Sequence, residues 1–235
     1  MEKIAVLVPT RGRVSSMEGL VKSIIETSDN KENNEVIFYI DDDDTESIKA
    51  TESLNFIYGN VKCVVGGRIV LSDMWNKCFE ASDSDIFMQC GDDIRIRTKG
   101  WDSVVRKKFA EREDRIGFVF GYDGIQAKGQ FGTHGFLHRN WVNTVGYFLP
   151  PYFEADYCDT WINDVAKMIN RFYFIDIFTE HLHISIGKHE LDETHKDRIK
   201  RYHENKVYEK YAQSKHLRDQ DAEKLLEFIA SQSGR

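Results

Sequence analysis

Strand-like apolar runs alternate with amphipathic helical stretches, and this alternation constrains the fold more than any other feature of the sequence. Residues 4–8 form a continuous apolar, β-branched run stopped by Pro9, Thr10 and Gly12. That pattern suits a strand covered on both faces. Residues 15–28 follow with Met17, Val21, Ile24 and Ile25 at helical spacing. The same reading predicts strands over 36–40, 61–65, 85–90 and 116–120, with helices over 45–56, 71–81 and 101–113 between them. Strand and helix in strict succession predict an α/β fold built on a parallel sheet flanked by helices, with ligands at the carboxyl ends of the strands. The second half is less regular: a strand over 133–138, a helix over 158–170, and an aromatic strand over 172–178 that continues towards His181 and His183.

Composition narrows the classes. With 41% hydrophobic, 30% charged and 12% aromatic residues and only 3 prolines, a disordered or collagen-like chain is excluded. The 235 residues suit one large domain or two small ones. Cys63, Cys78, Cys90 and Cys158 show no C-x-x-C spacing. They read as small apolar residues of a reducing compartment rather than a zinc ribbon. The N-terminus lacks the long apolar stretch of a signal peptide, and nowhere do some 18 apolar residues run together, so a cytoplasmic protein without a membrane span is expected. A net charge of −7 weighs against a dedicated nucleic-acid binder.

Two acidic clusters close predicted strands. Asp41, Asp42, Asp43 and Asp44 follow the second strand directly. Adjacent carboxylates repel, so they need a cation, amide donors or full solvation. One of them can accept a hydrogen bond from a nucleobase imide; alternatively the run is a solvated turn with Asp44 capping the next helix. Gly91-Asp92-Asp93 follows the fourth strand. There glycine admits a close backbone approach and two hard oxygen ligands suit Mg²⁺ or Mn²⁺, particularly alongside phosphates. On a strand, His181 and His183 point to one side and can share a site. Lys188 can meet a phosphate as a point charge. Glu154, Asp156 and Asp159 precede an apolar helix, where a carboxylate serves as a cap or as a general base. Trp161 beside them can stack on a sugar or lie in the core. Pro9, Thr10, Arg11, Gly12 and Arg13 occupy the first strand-to-helix loop, where nucleotide phosphates sit in related sheets. The G-x-G-x-x-G, P-loop and G-x-S-x-G patterns are all missing, which disfavours a nicotinamide site, a P-loop NTPase and an α/β-hydrolase.

In order, these segments resemble a GT-A fold glycosyltransferase of the family 2 type, over most of residues 1–195. The resemblance implies a GT-A domain over 1–195, with 196–235 as a charged helical extension packed on it, and a mostly parallel mixed sheet. It implies that Asp42, with Asp41 beside it, contacts the nucleobase, and that Asp92 lies near the donor ribose. Asp93 would bind the metal, Mn²⁺ or Mg²⁺, with His183 or His181 completing its site. Asp159 would be the catalytic base, among Asp156 and Glu154, and Pro9, Thr10, Arg11, Arg13, Arg68 and Lys188 would line the donor, a UDP-sugar. Two departures stand out: the first Asp of a strict D-x-D is missing from Cys90-Gly91-Asp92-Asp93, and Cys158-Asp159 replaces the usual Glu-Asp pair. Residues 180–195 are similar to C-terminal sequences of small phage-encoded glycosyltransferases. This raises a hydroxymethylated DNA base as an acceptor, reached from the host cytoplasm.

The implied reaction is inverting transfer from a nucleotide-sugar to an acceptor hydroxyl. A sugar nucleotidyltransferase shares the acidic sheet edge but usually opens with a richer glycine loop than Gly12 provides. A catalytically inactive carbohydrate- or nucleotide-binding relative is the other alternative. Residues 196–235 carry ten Lys and Arg against seven Asp and Glu, a net +3, so residues 1–195 hold a net −10. The acidity is thus concentrated with the candidate site, and it weighs less against a nucleic-acid acceptor than the total suggests. Oligomeric state is not legible.

Overall fold

The computed structural model of the chain describes residues 1–153, 156–182 and 193–233. Strands β1 (Ile4–Thr10), β2 (Asn34–Asp41), β3 (Val61–Gly66), β4 (Ile86–Gln89), β5 (Ile94–Ile96), β6 (Phe118–Tyr122), β7 (Gly135–His138) and β8 (Phe172–His181) join in one sheet. Their order is β3-β2-β1-β4-β7-β6-β8-β5. β1 runs parallel to β2 and β4, β2 to β3, and β6 to β8. β7 runs antiparallel to β4 and β6, and β5 antiparallel to β8. This is the mostly parallel mixed α/β sheet that the sequence predicts. Reversing β7 between β4 and β6 has a positional consequence. The ends of β1, β2, β3, β4, β6 and β8 and the start of β7 all meet at one edge.

The described helices are α1 (Val14–Thr27), α2 (Thr45–Tyr58), α3 (Leu71–Glu80), α4 (Trp101–Ala110), α5 (Arg139–Val145), α6 (Cys158–Met168), α7 (Glu193–Glu204), α8 (Val207–Gln213) and α9 (Lys215–Ser233). The sheet has a core on each face, because successive side chains of a strand alternate. Ala5, Leu7, Ile37 and Tyr39 pack on one side with Trp75, Phe87 and Trp161. Ile4, Val6, Val8, Phe38 and Ile40 pack on the other with Met17, Leu20 and Trp101. A central strand apolar on both faces is why 4–8 reads as a continuous run rather than an alternation.

One described strand and one described α-helix escape the sequence reading. β5 has three residues, too few for a period of two to emerge. α5 has seven, and it depends on local chemistry instead: His138 Nδ1 accepts from Asn140 N at 3.1 Å at its start, and Gly146 closes it at φ 99°. Trp161 is a core residue. Its Nε1 donates to Asp221 on α9 at 3.0 Å, and the Tyr147 hydroxyl donates to the same carboxylate, so the C-terminal helix is clasped onto α5 and α6. All four cysteines are free thiols, and burial pushes Cys78 up to about 12. No described helix is long and apolar enough to cross a membrane.

Below α1 the packing rests on a buried ion pair. Asp102 is fully buried and accepts from Arg106 Nη1 at 2.7 Å, from the backbone of Asp29 and Asn30 at 2.8 and 3.0 Å, and from Asn34 at 3.2 Å. Burial alone would raise its pKa, but these donors outweigh burial and hold it below the usual carboxylate range. Asp102 therefore stabilises the fold above the unfolded carboxylate pKa of about 3.9, and the contribution is lost as pH falls through the lower native value. Asp102→Ala strands Arg106 and is expected to cost about 3 kcal/mol or more in urea unfolding at neutral pH. The variant should also lose part of the wild-type's acid sensitivity below about pH 4.

Candidate functional site

The shared sheet edge carries the acidic clusters. β2 ends on Asp41, which is 2% exposed. Arg11, in the loop after β1, donates to Asp41 at 2.7 Å and to both oxygens of Asp43 at 2.5 and 2.8 Å. The guanidinium pKa is raised, chiefly by the bond to Asp43, against the opposing effect of burial, and Asp43 is lowered in return. Asp44 caps α2, accepting from Ser47 N at 3.2 Å, and also accepts from Gly12 N at 2.6 Å. Repulsion within the run is thus relieved by Arg11, by amide donors and, for the exposed Asp42, by solvent. Asp41 Oδ1 is buried and makes no hydrogen bond within the described protein. Arg68 is exposed just beyond the Gly66-Gly67 turn, where its charge is felt at Asp43. Pro9 lies within β1, opposite Tyr39 of β2.

The second cluster divides by role. Asp92 faces the first loop: Thr10 Oγ1 donates to one oxygen at 2.7 Å and Arg13 to the other at 3.2 Å. Burial raises its pKa, with Arg13 pulling against it. Asp93 faces the other way. Its Oδ2 lies 3.2 Å from His181 Nε2, and its backbone oxygen accepts from Leu182 N at 2.9 Å. Burial acts to raise Asp93, but His181, His134 and Arg13 outweigh it and hold the carboxyl well below its usual range. Arg95 donates from beneath to the Asp92 and Ile94 carbonyls at 3.1 and 2.7 Å, fixing the turn. Its side chain fits there because Gly19 of α1 has no Cβ, which would stand 2.3 Å from the guanidinium. Gly91 is required in the same way, since a Cβ would stand 2.7 Å from Asp93 Oδ1.

Two functional candidates are missed by the sequence reading. His134, just before β7, is 8% exposed and its ring lies edge-on to His181 at 4.8 Å. Among the described residues neither of its ring nitrogens meets hydrogen-bond geometry, the Gln89 backbone being the neighbour that favours its charged form. Burial first and His181 second push it down to about 3. Asp123, after β6, organises the neighbouring loop by accepting from Ile125 N, Gln126 N and Thr133 Oγ1 at 2.8–2.9 Å, while its backbone oxygen accepts from His181 N. Only the antiparallel placement of β7 brings 134 beside 93 and 181, and no local motif signals it.

Carboxylate and imidazole form a donor set that suits Mn²⁺-class cations. Asp93 and His181, with the orphaned His134 beside them, fit such an ion. Among the described residues no three such side chains already stand in ligating geometry, so further oxygens would come from a bound ligand. His183, Lys188 and Glu154 lie outside the described residues.

Asp156 and Asp159 stand elsewhere, in a cleft of about 480 Å³ beside the start of α6. Asp159 Oδ1 accepts from Thr160 N at 2.7 Å within the first turn. Asn163, one turn on, accepts from Gly132 N and donates to the carbonyls of Gly132 and Asp159, each at 2.8 Å. The loop from Asp123 to Thr133 therefore has both ends beside the cation-type cluster, while Gln126 and Phe131 in between line the cleft.

No family model and no curated protein sequence matches the chain. Solved structures do. Residues 1–349 of TarS from S. aureus align at 14% identity and TM-score 0.59, over 83% of this chain and 68% of that one, with a further structure of it in complex with UDP. TarS in complex with UDP-GlcNAc aligns over 75% of this chain and 58% of that one. The mannosyltransferase PcManGT from Pyrobaculum calidifontis, in complex with GDP-Man and Mn²⁺, aligns at 10% identity and TM-score 0.59, over 99% of this chain and 75% of that one. At such identities the likeness is one of architecture, and the architecture is the GT-A fold.

Proposed function

We propose that the chain is a divalent-cation-dependent glycosyltransferase that moves a sugar from a nucleotide-sugar, a UDP-sugar in the first instance, to an acceptor hydroxyl. The observation that carries this reading is the convergence of Asp93, His181 and His134 on the sheet edge that also holds the unsatisfied Asp41 Oδ1. The nucleotide-sugars in the structures of TarS and PcManGT, and the Mn²⁺ in the latter, support it.

Asp41 Oδ1 accepts the imide N–H of the base, which satisfies a buried acceptor that otherwise costs stability. Asp42 lies beside it, exposed. Asp92, fixed by Thr10 and Arg13, faces the ribose. Arg11, Arg13 and Arg68 supply positive charge around the diphosphate. Asp93 with His181 would hold the cation, with His134 next to them. When bound, the ion would offset the charge that develops on the departing diphosphate.

Asp159 acts as the base, with Asp156 beside it in the cleft. As the acceptor oxygen bonds to the anomeric carbon, its proton passes to the Asp159 carboxylate. The bond from that carbon to the diphosphate oxygen breaks, and its electron pair leaves with the nucleotide. One displacement at one carbon inverts its configuration.

A thermal-shift screen of UDP, GDP, TDP and CMP with and without Mn²⁺ tests the donor half. UDP with Mn²⁺ is expected to raise the midpoint, because a ligand selective for the native state stabilises it. EDTA should abolish the rise. Asp93→Ala should keep its own midpoint close to wild type and lose the Mn²⁺-dependent part; a full response in that variant would overturn the assignment. Asp159→Asn is expected to lower turnover by about 10²–10⁴ with the UDP response intact. Loss of the UDP response instead would place Asp159 in donor binding.

A further inference from the structure

His134 is buried at the start of β7 without a contact that explains why a polar ring belongs there. It is 8% exposed. Among the described residues neither ring nitrogen meets hydrogen-bond geometry, although the Gln89 backbone lies near. A buried polar group in that state costs stability, so its place calls for a ligand. The space in front of the ring is kept clear. A Cβ at Gly91 would stand 2.7 Å from Asp93 Oδ1 and 3.8 Å from His134 Cε1, so the glycine leaves a gap between carboxylate and imidazole.

The segments that carry Asp93, His134 and His181 are fastened to one another. The Asp123 carboxylate accepts from Thr133 Oγ1 at 2.8 Å, one residue before His134. The Asp123 carbonyl accepts from His181 N at 2.9 Å, and the Asp93 carbonyl from Leu182 N at 2.9 Å. The backbones are thus set, and side-chain torsions remain for a ligand to fix.

The spacing matches neighbouring positions around one octahedral ion. At bond lengths of about 2.1 Å, two ligand atoms at right angles stand about 3.0 Å apart, and two imidazole centroids about 4.6 Å apart. Asp93 Oδ2 and His181 Nε2 are 3.2 Å apart, and the His181 and His134 centroids 4.8 Å apart. Among the described residues no three such groups already enclose an ion; Asp93 and His181 are turned to each other instead. An ion that replaces that contact is completed by a turn of the His134 ring towards it.

We propose that His134 is the third protein ligand of the cation, and that this face of one carboxylate and two imidazoles selects a first-row transition ion over Mg²⁺. The proposal rests on the cation-dependent reading of the same edge and names the class of ion that the edge takes. Carboxylates, carbonyls and water suit Mg²⁺, whereas imidazole favours transition metals, for which two histidines and one carboxylate are a known ligand face. Three protein ligands on one side of an octahedron leave the other side open to diphosphate oxygens and water. They also hold the ion before any nucleotide arrives.

The test uses the full chain with Mn²⁺ alone, without nucleotide. Pulsed EPR counts the imidazole nitrogens coupled to the bound ion, so it reads ligation rather than activity. Two are expected in the wild-type protein and one in His134→Ala. That variant should bind Mn²⁺ at least about tenfold more weakly, the scale on which loss of even an outer partner of a metal ligand is felt. His134→Gln keeps a polar side chain, should also show one nitrogen, and serves if the alanine variant folds poorly. Mg²⁺ in about a hundredfold excess should leave the wild-type signal in place. The proposal is overturned if the wild-type ion carries a single imidazole, if either variant retains two, if Mg²⁺ displaces the ion, or if Mn²⁺ binds only with UDP present. The UDP and Mn²⁺ screen separates the two readings. A Mn²⁺-dependent UDP response with a single imidazole removes His134 from the site and leaves the transferase. No Mn²⁺ binding with or without UDP removes both.

Discussion

Carboxylates crowded at one edge of a sheet must each be compensated, and the site is organised by the way this is done. Arg11 neutralises Asp41 and Asp43, Thr10 and Arg13 hold Asp92, backbone amides hold Asp44 and Asp123, and imidazole faces Asp93. Most of these bonds also join two elements. Arg11 ties the end of β1 to the end of β2, Thr10 ties β1 to the turn after β4, and His181 ties that turn to β8. Electrostatic relief and positional order are therefore one requirement met by the same contacts. The acceptor atom left over at Asp41 and the ring nitrogens left over at His134 are where the compensation stops within the described protein.

The division between Asp92 and Asp93 follows from the same requirement. A turn that presents two adjacent carboxylates can aim only one at each side. Gly91 leaves space for the second by carrying no side chain, and Arg95 anchors the backbone from below. Asp92 then serves the loop after β1, and Asp93 is turned towards β7 and β8. The first acid of a strict D-x-D, two residues before Asp93, is replaced by Gly91, where even a Cβ would stand 2.7 Å from Asp93 Oδ1.

How much of this is legible in the sequence depends on how local the signal is. The parallel strands and their helices show because buried runs and 3.6-residue spacing are properties of short windows. The acid clusters show because they follow such runs directly, and the alternative use of Asp44 as a helix cap is visible from its position alone. His134 and Asp123 do not show. Their significance comes from β7 running backwards between β4 and β6, a pairing set by contacts between residues far apart in sequence. Trp161 is ambiguous for the related reason that its partner, Asp221, arrives from the other end of the chain. The wall that Tyr202 supplies to the cleft is illegible in the same way.

The loop between Asp123 and Thr133 is fixed at both ends. Asp123 gathers its first turn, and Asn163 grips Gly132 through both the oxygen and the nitrogen of its side-chain amide. Between these two pins the chain is largely exposed. Variation is therefore tolerated unevenly along it. Insertions or exchanges over 127–131 can reshape one wall of the cleft while His134 and His181 stay in place, whereas a change at Asp123, Gly132 or Asn163 would disturb both places together. That span is a replaceable part with its mounting points already defined.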